Sequence, residues 1–189
     1  LDLTHSSYII MDGRYYCFLY IKANGYPSTV RGGWMSSLIN AGEGIDVDVH
    51  LSRENRSKTI DKVAQRIRLN RTKLKGMQDT STDYEELANS IQAGYFIKHG
   101  IANHNEDLFY MSVFVTVSAK TYEELLWRKQ RMIDMLKSMD MYLSECRFQQ
   151  EAALRSVMPF LQVSPKLLKK TQRNVLTSGA ASTYMFTSF

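Results

Sequence analysis

Asp46 and Asp48 stand two residues apart in a run that alternates apolar and polar, so both carboxylates point to one face of a strand and could share a cation. Cation binding needs a third convergent ligand, and none is assigned to the pair. The bland reading is a solvated strand face. The four histidines, His5, His50, His99 and His104, are scattered, and none has a Cys, Ser or acidic neighbour at a spacing known for nucleophilic catalysis. His99 and His104 could meet around the turn expected at Gly100. Cys17 and Cys146 lie far apart among strand-like neighbours, which argues for two buried reduced thiols of a cytosolic chain and against a zinc site. Thr177-Ser-Gly-Ala-Ala-Ser182 is rich in small residues but lacks the lysine and second glycine of a phosphate-binding loop. Neither a catalytic residue, a cofactor site nor a metal site is expected in this chain.

The one concentrated chemical feature is charge. Arg53, Arg56, Lys58, Lys62, Arg66, Arg68, Arg71, Lys73 and Lys75 face only Glu54 and Asp61 in the same segment. That net charge of +7 exceeds the +5 of the whole chain, so the remainder is slightly acidic. Lys58, Lys62 and Arg66 follow one another at intervals of four, which makes a stripe on one side of a helix. Such a stripe is either a solvated face or a docking surface for anionic lipid, an acidic protein or nucleic acid. Lys58, Lys62, Arg66, Arg68, Arg71, Lys73 and Lys75 are the candidate partner-binding residues. Aromatic side chains that would stack bases are missing from this helix, which ranks single-stranded nucleic acid below the other two partners.

The elements that carry these residues follow from periodicity. Tyr8 to Met11 and Tyr15 to Ile21 are β-rich runs joined by Asp12-Gly13, a hairpin signal. Gly25-Tyr26-Pro27 stops the second run, and Trp34, Leu38 and Ile39 suit one face of a short helix. Ile45 to Leu51 alternates as a strand with Ile45, Val47, Val49 and Leu51 inward and Asp46, Asp48 and His50 outward. From Glu54 to Lys75, Ile60, Val63, Ala64, Ile67 and Leu74 mark a long helix ended by Gly76. Thr82 and Glu85 open a second long helix as a capping box, and Gly100 is expected to stop it. These two helices read as an antiparallel hairpin.

Asp107 to Ser118 is apolar on both sides, as in a central strand. A helix opening at Thr121 with Leu125, Met132, Leu136 and Met139 inward leads to a strand from Met141 to Phe148. Gln150 to Val157 is a short helix stopped near Pro159, Ser164-Pro165 starts another, and Asn174 to Tyr184 reads as helical before a last strand. Tyr15–Leu51 and Leu108–Phe148 both read strand, helix, strand. The expected fold is α+β, with two layers, ferredoxin-like split βαβ halves and a long antiparallel helix hairpin inserted at about 53–100. The short first strand and the Met141 strand then compete for the same neighbour.

Motifs in three stretches, 25–51, 152–159 and 186–188, carry a family likeness. Gly25-Tyr-Pro27, Gly33-Trp-Met-x-x-Leu38 and Val47-Asp-Val49 before His50 resemble the N-terminal domain of the VirB-four-like ATPases of conjugative type IV secretion systems, of the kind found on integrative conjugative elements. Ala152-Ala-Leu-Arg-Ser-Val-Met-Pro159 resembles that family's approach to its domain boundary, and Phe186-Thr-Ser188 its boundary strand, with Met185 where the family usually has Pro. The likeness implies a single domain over 1–189, a non-catalytic docking and assembly part of a longer ATPase whose hydrolytic module lies outside it. It implies inner-membrane channel components, the protein's own C-terminal ATPase domain and an anionic membrane surface as partners. Oligomerisation of the full-length protein and a peripheral position at the cytoplasmic face of the membrane follow from the same likeness. A leading Leu and an apolar ending fit a segment of a longer chain. The rival reading is a nucleic-acid-binding module acting through the basic helix 53–75. Apolar residues at 44% and charged residues at 23% are globular values, and no apolar run approaches the roughly 18 to 20 residues of a membrane span.

Overall fold

The computed structural model describes residues 1–27, 30–76, 82–160 and 162–184. The chain is a mixed α/β protein built on an antiparallel sheet. It divides into two compact units, one of Leu1–Leu51, Met111–Arg173 and residues from Ala181 on, the other of Ser52–Tyr110 and Asn174–Ala180.

In the first unit β1 (Ile9–Met11) and β2 (Arg14–Ile21) form the hairpin expected at Asp12-Gly13. Both turn residues take left-handed backbone, φ 51° and 71°, which matches the twist of the two strands. A four-residue helix, α1 (Ser36–Ile39), follows. Trp34 precedes it rather than opening its apolar face, and Met35, Ser36 and Leu38 are buried while Ile39 is exposed. β3 (Ile45–Arg53) lies beside β4 (Leu108–Ala119), which also pairs with β2 from Tyr15 opposite Ala119 to Tyr20 opposite Phe114. A helix, α4 (Tyr122–Lys137), and β5 (Leu143–Glu145) complete the second half.

The contest for the outer side of β2 has a simple outcome. β1 pairs with Arg14–Tyr16, and β5 pairs with Leu19–Ile21. The two short strands share one edge end to end, and the Cys146 amide donates to the Phe18 carbonyl at 2.9 Å beside the junction. Strand neighbours therefore run β5-β2-β4-β3, with β1 sharing the place of β5.

Both faces of this sheet are covered within the first unit. Phe18, Tyr20 and Phe114 on one face pack with Ala153 of α5 (Gln150–Val157) and Leu167 of α6 (Pro165–Thr171). Cys17, Leu19, Val115 and Val117 point the other way and are equally buried, and Lys129 of α4 lies close enough to act on the Cys17 thiol. Covering both faces alters the pattern expected of β3. Only Asp46 along Ile45–Leu51 is exposed; Asp48 and His50 are half-buried, and the Ser156 backbone of α5 reaches the His50 ring.

In the second unit α2 (Arg56–Leu74) and α3 (Thr82–Asn103) run antiparallel, as the side-chain bonds Asn70 to Ser90 and Arg56 to Asn105 require. Gly100 does not end α3, which continues to Asn103. A β-carbon at Gly100 would stand 2.7 Å from Leu176 Cδ1, so this glycine makes room for a packed side chain rather than a turn. Leu176 belongs to β6 (Arg173–Leu176), which pairs with β4 where a helix was expected; the helix α7 (Thr177–Thr183) starts only after it. Ile101, Leu108 and Leu176, with Ile60 and Ile97 against them, form the core of this unit. The Thr82 side chain of the expected capping box and the expected strand at 186–188 lie outside the described residues.

Candidate docking surface

The basic segment is a helix for local reasons. Asn55 is its N-cap, with Oδ1 accepting from the Lys58 amide at 3.2 Å, and neither Gly nor Pro interrupts the following 19 residues. Arg71 and Lys73 lie in the last turn, where cations oppose the negative end of the helix dipole. Ile67 is buried and Ile60, Val63, Ala64 and Leu74 are half-buried, so the apolar face turns to α3. Gly94 of α3 lets the two backbones approach.

Burial on one side fixes exposure on the other. Lys58, Lys62, Arg66, Arg68, Arg71, Lys73 and Lys75 are all exposed. At 3.6 residues per turn, Lys58, Lys62, Arg66 and Lys73 project from the side opposite α3, while Arg68 and Lys75 lie on its flank. Arg71 is not part of the stripe, because its guanidinium turns toward α3 and donates to the Tyr95 hydroxyl at 3.3 Å. Two more of the nine cations are spent inside the unit. Arg53 pairs with Asp107 at 2.7 Å, and Arg56 donates to the Asn105 side chain and to the Ile101 carbonyl. Lys62 reaches Glu54 only at 3.9 Å with its own side chain largely in solvent. Among the described residues, Lys58, Arg66, Arg68, Lys73 and Lys75 have no ion pair.

Sequence reasoning passed over two features of this surface. Leu69 lies between Lys62, Arg66 and Lys73 on the outer side and is 56% exposed. Its position seven residues after Lys62, outside the Ile60–Ile67 face, is the signal that could have marked it. Tyr95 and Phe96 of α3 are also exposed, Tyr95 beside Arg71.

The other candidate groups sit apart from this surface in the chain. Asp48 is pushed up to about 6 by partial burial and then by the charge of Asp46. Among the described residues no three metal-ligating side chains converge. His99 and His104 do come together, with ring centroids 5.1 Å apart. His5 stacks on Tyr8 at 4.2 Å, and His50 stands edge-on to Phe114 at 5.7 Å with burial lowering its pKa. Cys17 and Cys146 are free and buried, and burial pushes both thiols up to about 12, which leaves them protonated and poor nucleophiles at neutral pH. Among the described residues no helix is long and apolar enough to cross a membrane. No protein-family model matches this sequence, and no curated protein is significantly similar to it.

Proposed function

We propose that the chain is a docking and assembly domain of a conjugative type IV secretion ATPase, resembling the N-terminal domain of the VirB-four-like proteins. The observation that carries the docking role is the outer side of α2, where Lys58, Arg66 and Lys73 are exposed without acidic partners among the described residues and Lys62 reaches only Glu54, at 3.9 Å. The strand order β5-β2-β4-β3, antiparallel throughout its paired registers, supports a ferredoxin-like arrangement of two split βαβ halves. In that reading α2 and α3 are an insertion between the halves, and α5 and α6 are an added layer. The docking partner is an anionic surface at the cytoplasmic face of the membrane, either lipid or an acidic segment of a channel component.

A nucleic-acid-binding module is the second reading, favoured by Tyr95 and Phe96, whose exposed rings supply stacking groups that α2 itself lacks. Reversing Lys58, Lys62 and Arg66 to Glu separates the two. Loss of cosedimentation with phosphatidylserine-containing vesicles, or of capture of a channel component's acidic segment, supports the docking reading. Tighter binding of single-stranded DNA than of either at physiological salt replaces it. Unchanged behaviour toward all three leaves α2 as a solvated face and overturns both.

A further inference from the structure

The first unit carries an open sheet edge beside a groove. β3 is the last strand on its side of the sheet, and no described strand pairs with its outer edge. The Ser118 amide donates to the Gly44 carbonyl at 2.7 Å, which fixes the parity of the ladder: even-numbered residues of β3 bond inward to β4. The N–H and C=O groups of Ile45, Val47, Val49 and Leu51 therefore point outward, a template for one more strand.

Side chains on the two faces of that edge carry opposite chemistry. On the α4 face, Ile45, Ala41 and Glu43 form one wall of a groove of about 200 Å³, and Trp127, Arg131 and Met132 form the other. Trp127 is 62% exposed, and the Arg131 guanidinium lies over its ring at 5.6 Å with no carboxylate partner among the described residues. Tryptophan and arginine in this arrangement are the side chains that most often anchor interfaces. Arg128 is not available for the same task, since it donates to Glu124 at 2.7 Å and to the Ser118 carbonyl at 2.8 Å. On the opposite face Asp46 and Asp48 project side by side. Partial burial of Asp48, and after it the charge of Asp46, hold the Asp48 carboxyl above its ordinary range.

We propose that the edge of β3 and this groove bind an extended segment of a partner protein in which an apolar, a basic and an acidic residue follow one another. Alternation along a strand dictates the order. The apolar side chain enters the groove beside Ile45, the next points to the other face and meets Asp46 and Asp48, and the third returns to the α4 face and meets Arg131. The backbone groups of Val47 and Val49 supply the ladder.

The probe is an acetylated, fluorescein-labelled octapeptide, Thr-Val-Thr-Leu-Lys-Glu-Val-Thr, with a control in which Lys and Glu are exchanged. Anisotropy should show the control binding at least tenfold more weakly. Amide shifts in nitrogen-15-labelled protein should centre on Val47, Val49 and the Trp127 indole. Val49→Pro removes one outward N–H and should lose at least tenfold in affinity. Because proline can also disturb folding, Arg131→Glu is the second variant, and it should recover binding when the peptide's Glu is replaced by Lys. Equal binding of the two peptides overturns the proposal, as do absence of binding at millimolar peptide and failure of the charge swap. A protein dimer that Val49→Pro dissolves also overturns it, since the edge would then belong to a second copy.

Discussion

Gly94 lies so close to Ile67 that a β-carbon on Gly94 would stand 2.7 Å from Ile67 Cγ1 and 3.1 Å from its Cδ1. The contact is between the middles of α2 and α3, and it is set by a stiff β-branched side chain. Gly94→Ala gains about 1 kcal/mol of helix propensity but must push the helices apart, a strain of about 1–3 kcal/mol. We expect a net loss of about 1 kcal/mol in urea unfolding. In a double-mutant cycle, Ile67→Ala should remove most of the Gly94→Ala penalty, because the clash and not the glycine is the cause.

Gly44 should be the least replaceable glycine of the first unit. Its φ is +77°, and a β-carbon there would meet the Ser118 carbonyl oxygen at 2.5 Å as well as the Arg128 guanidinium. The guanidinium can swing away; the carbonyl cannot, because it belongs to the backbone of β4. Gly44→Ala is expected to cost about 2 kcal/mol or more in chemical unfolding. Gly42, with φ +109° but nothing within 4 Å, should cost less on the same substitution.

Asp48 should make the first unit less stable as pH rises. Its folded pKa of about 6 lies above the ordinary 3.8, so the folded chain holds the proton to higher pH than the unfolded one. The destabilisation is absent below about pH 4 and complete above about pH 6 to 7. Asp48→Asn removes it, and the variant should exceed the parent in thermal unfolding at pH 7.5 while matching it at pH 4. Because the carboxyl is half in solvent, the gain is about 1 kcal/mol or less. His50, whose pKa is lowered by burial, acts in the opposite sense, costing stability as pH falls, so the comparison of parent and Asn variant isolates Asp48.

The triple reversal of Lys58, Lys62 and Arg66 should leave folding nearly intact. All three are exposed, and surface changes of this kind usually stay within about 0.5 kcal/mol each. Binding of the parent chain to anionic vesicles should weaken steeply between 0.1 and 1 M salt, as the screening length falls from about 10 Å to about 3 Å. Leu69→Ala should weaken the residual, salt-resistant part of that binding.

Much of this architecture is written in local periodicity. The Asp12-Gly13 hairpin, the doubly buried β4, the long basic helix and the Pro165 helix start each follow from a few neighbouring residues. What escaped reading depends on distant contacts. Gly100 looks like a helix terminator until Leu176 is known to press against it. Arg173–Leu176 is too short to announce itself as a strand, and it becomes one by pairing with β4. His50 alternates as part of a wet face should, yet it is half-buried, and the Ser156 backbone of α5, arriving from a hundred residues later in the chain, reaches its ring. On the basic helix, charge was legible and the loss of Arg71 to Tyr95 was not, since that bond crosses between helices.

The shared edge of β2 also sets an order of events during folding. β1 reaches β2 through a two-residue turn, a closure of the microsecond class, whereas β5 must return to Leu19–Ile21 from more than a hundred residues away. The last bonds of the first unit to form are then those at the seam, including Cys146 to Phe18 and Phe148 to Ser6. Pulse-labelled amide exchange should find the Tyr16 and Ile9 protons protected early and the Cys146 and Phe148 protons late. The junction of the two short strands is in this sense a clasp that closes only when the rest of the sheet is in place.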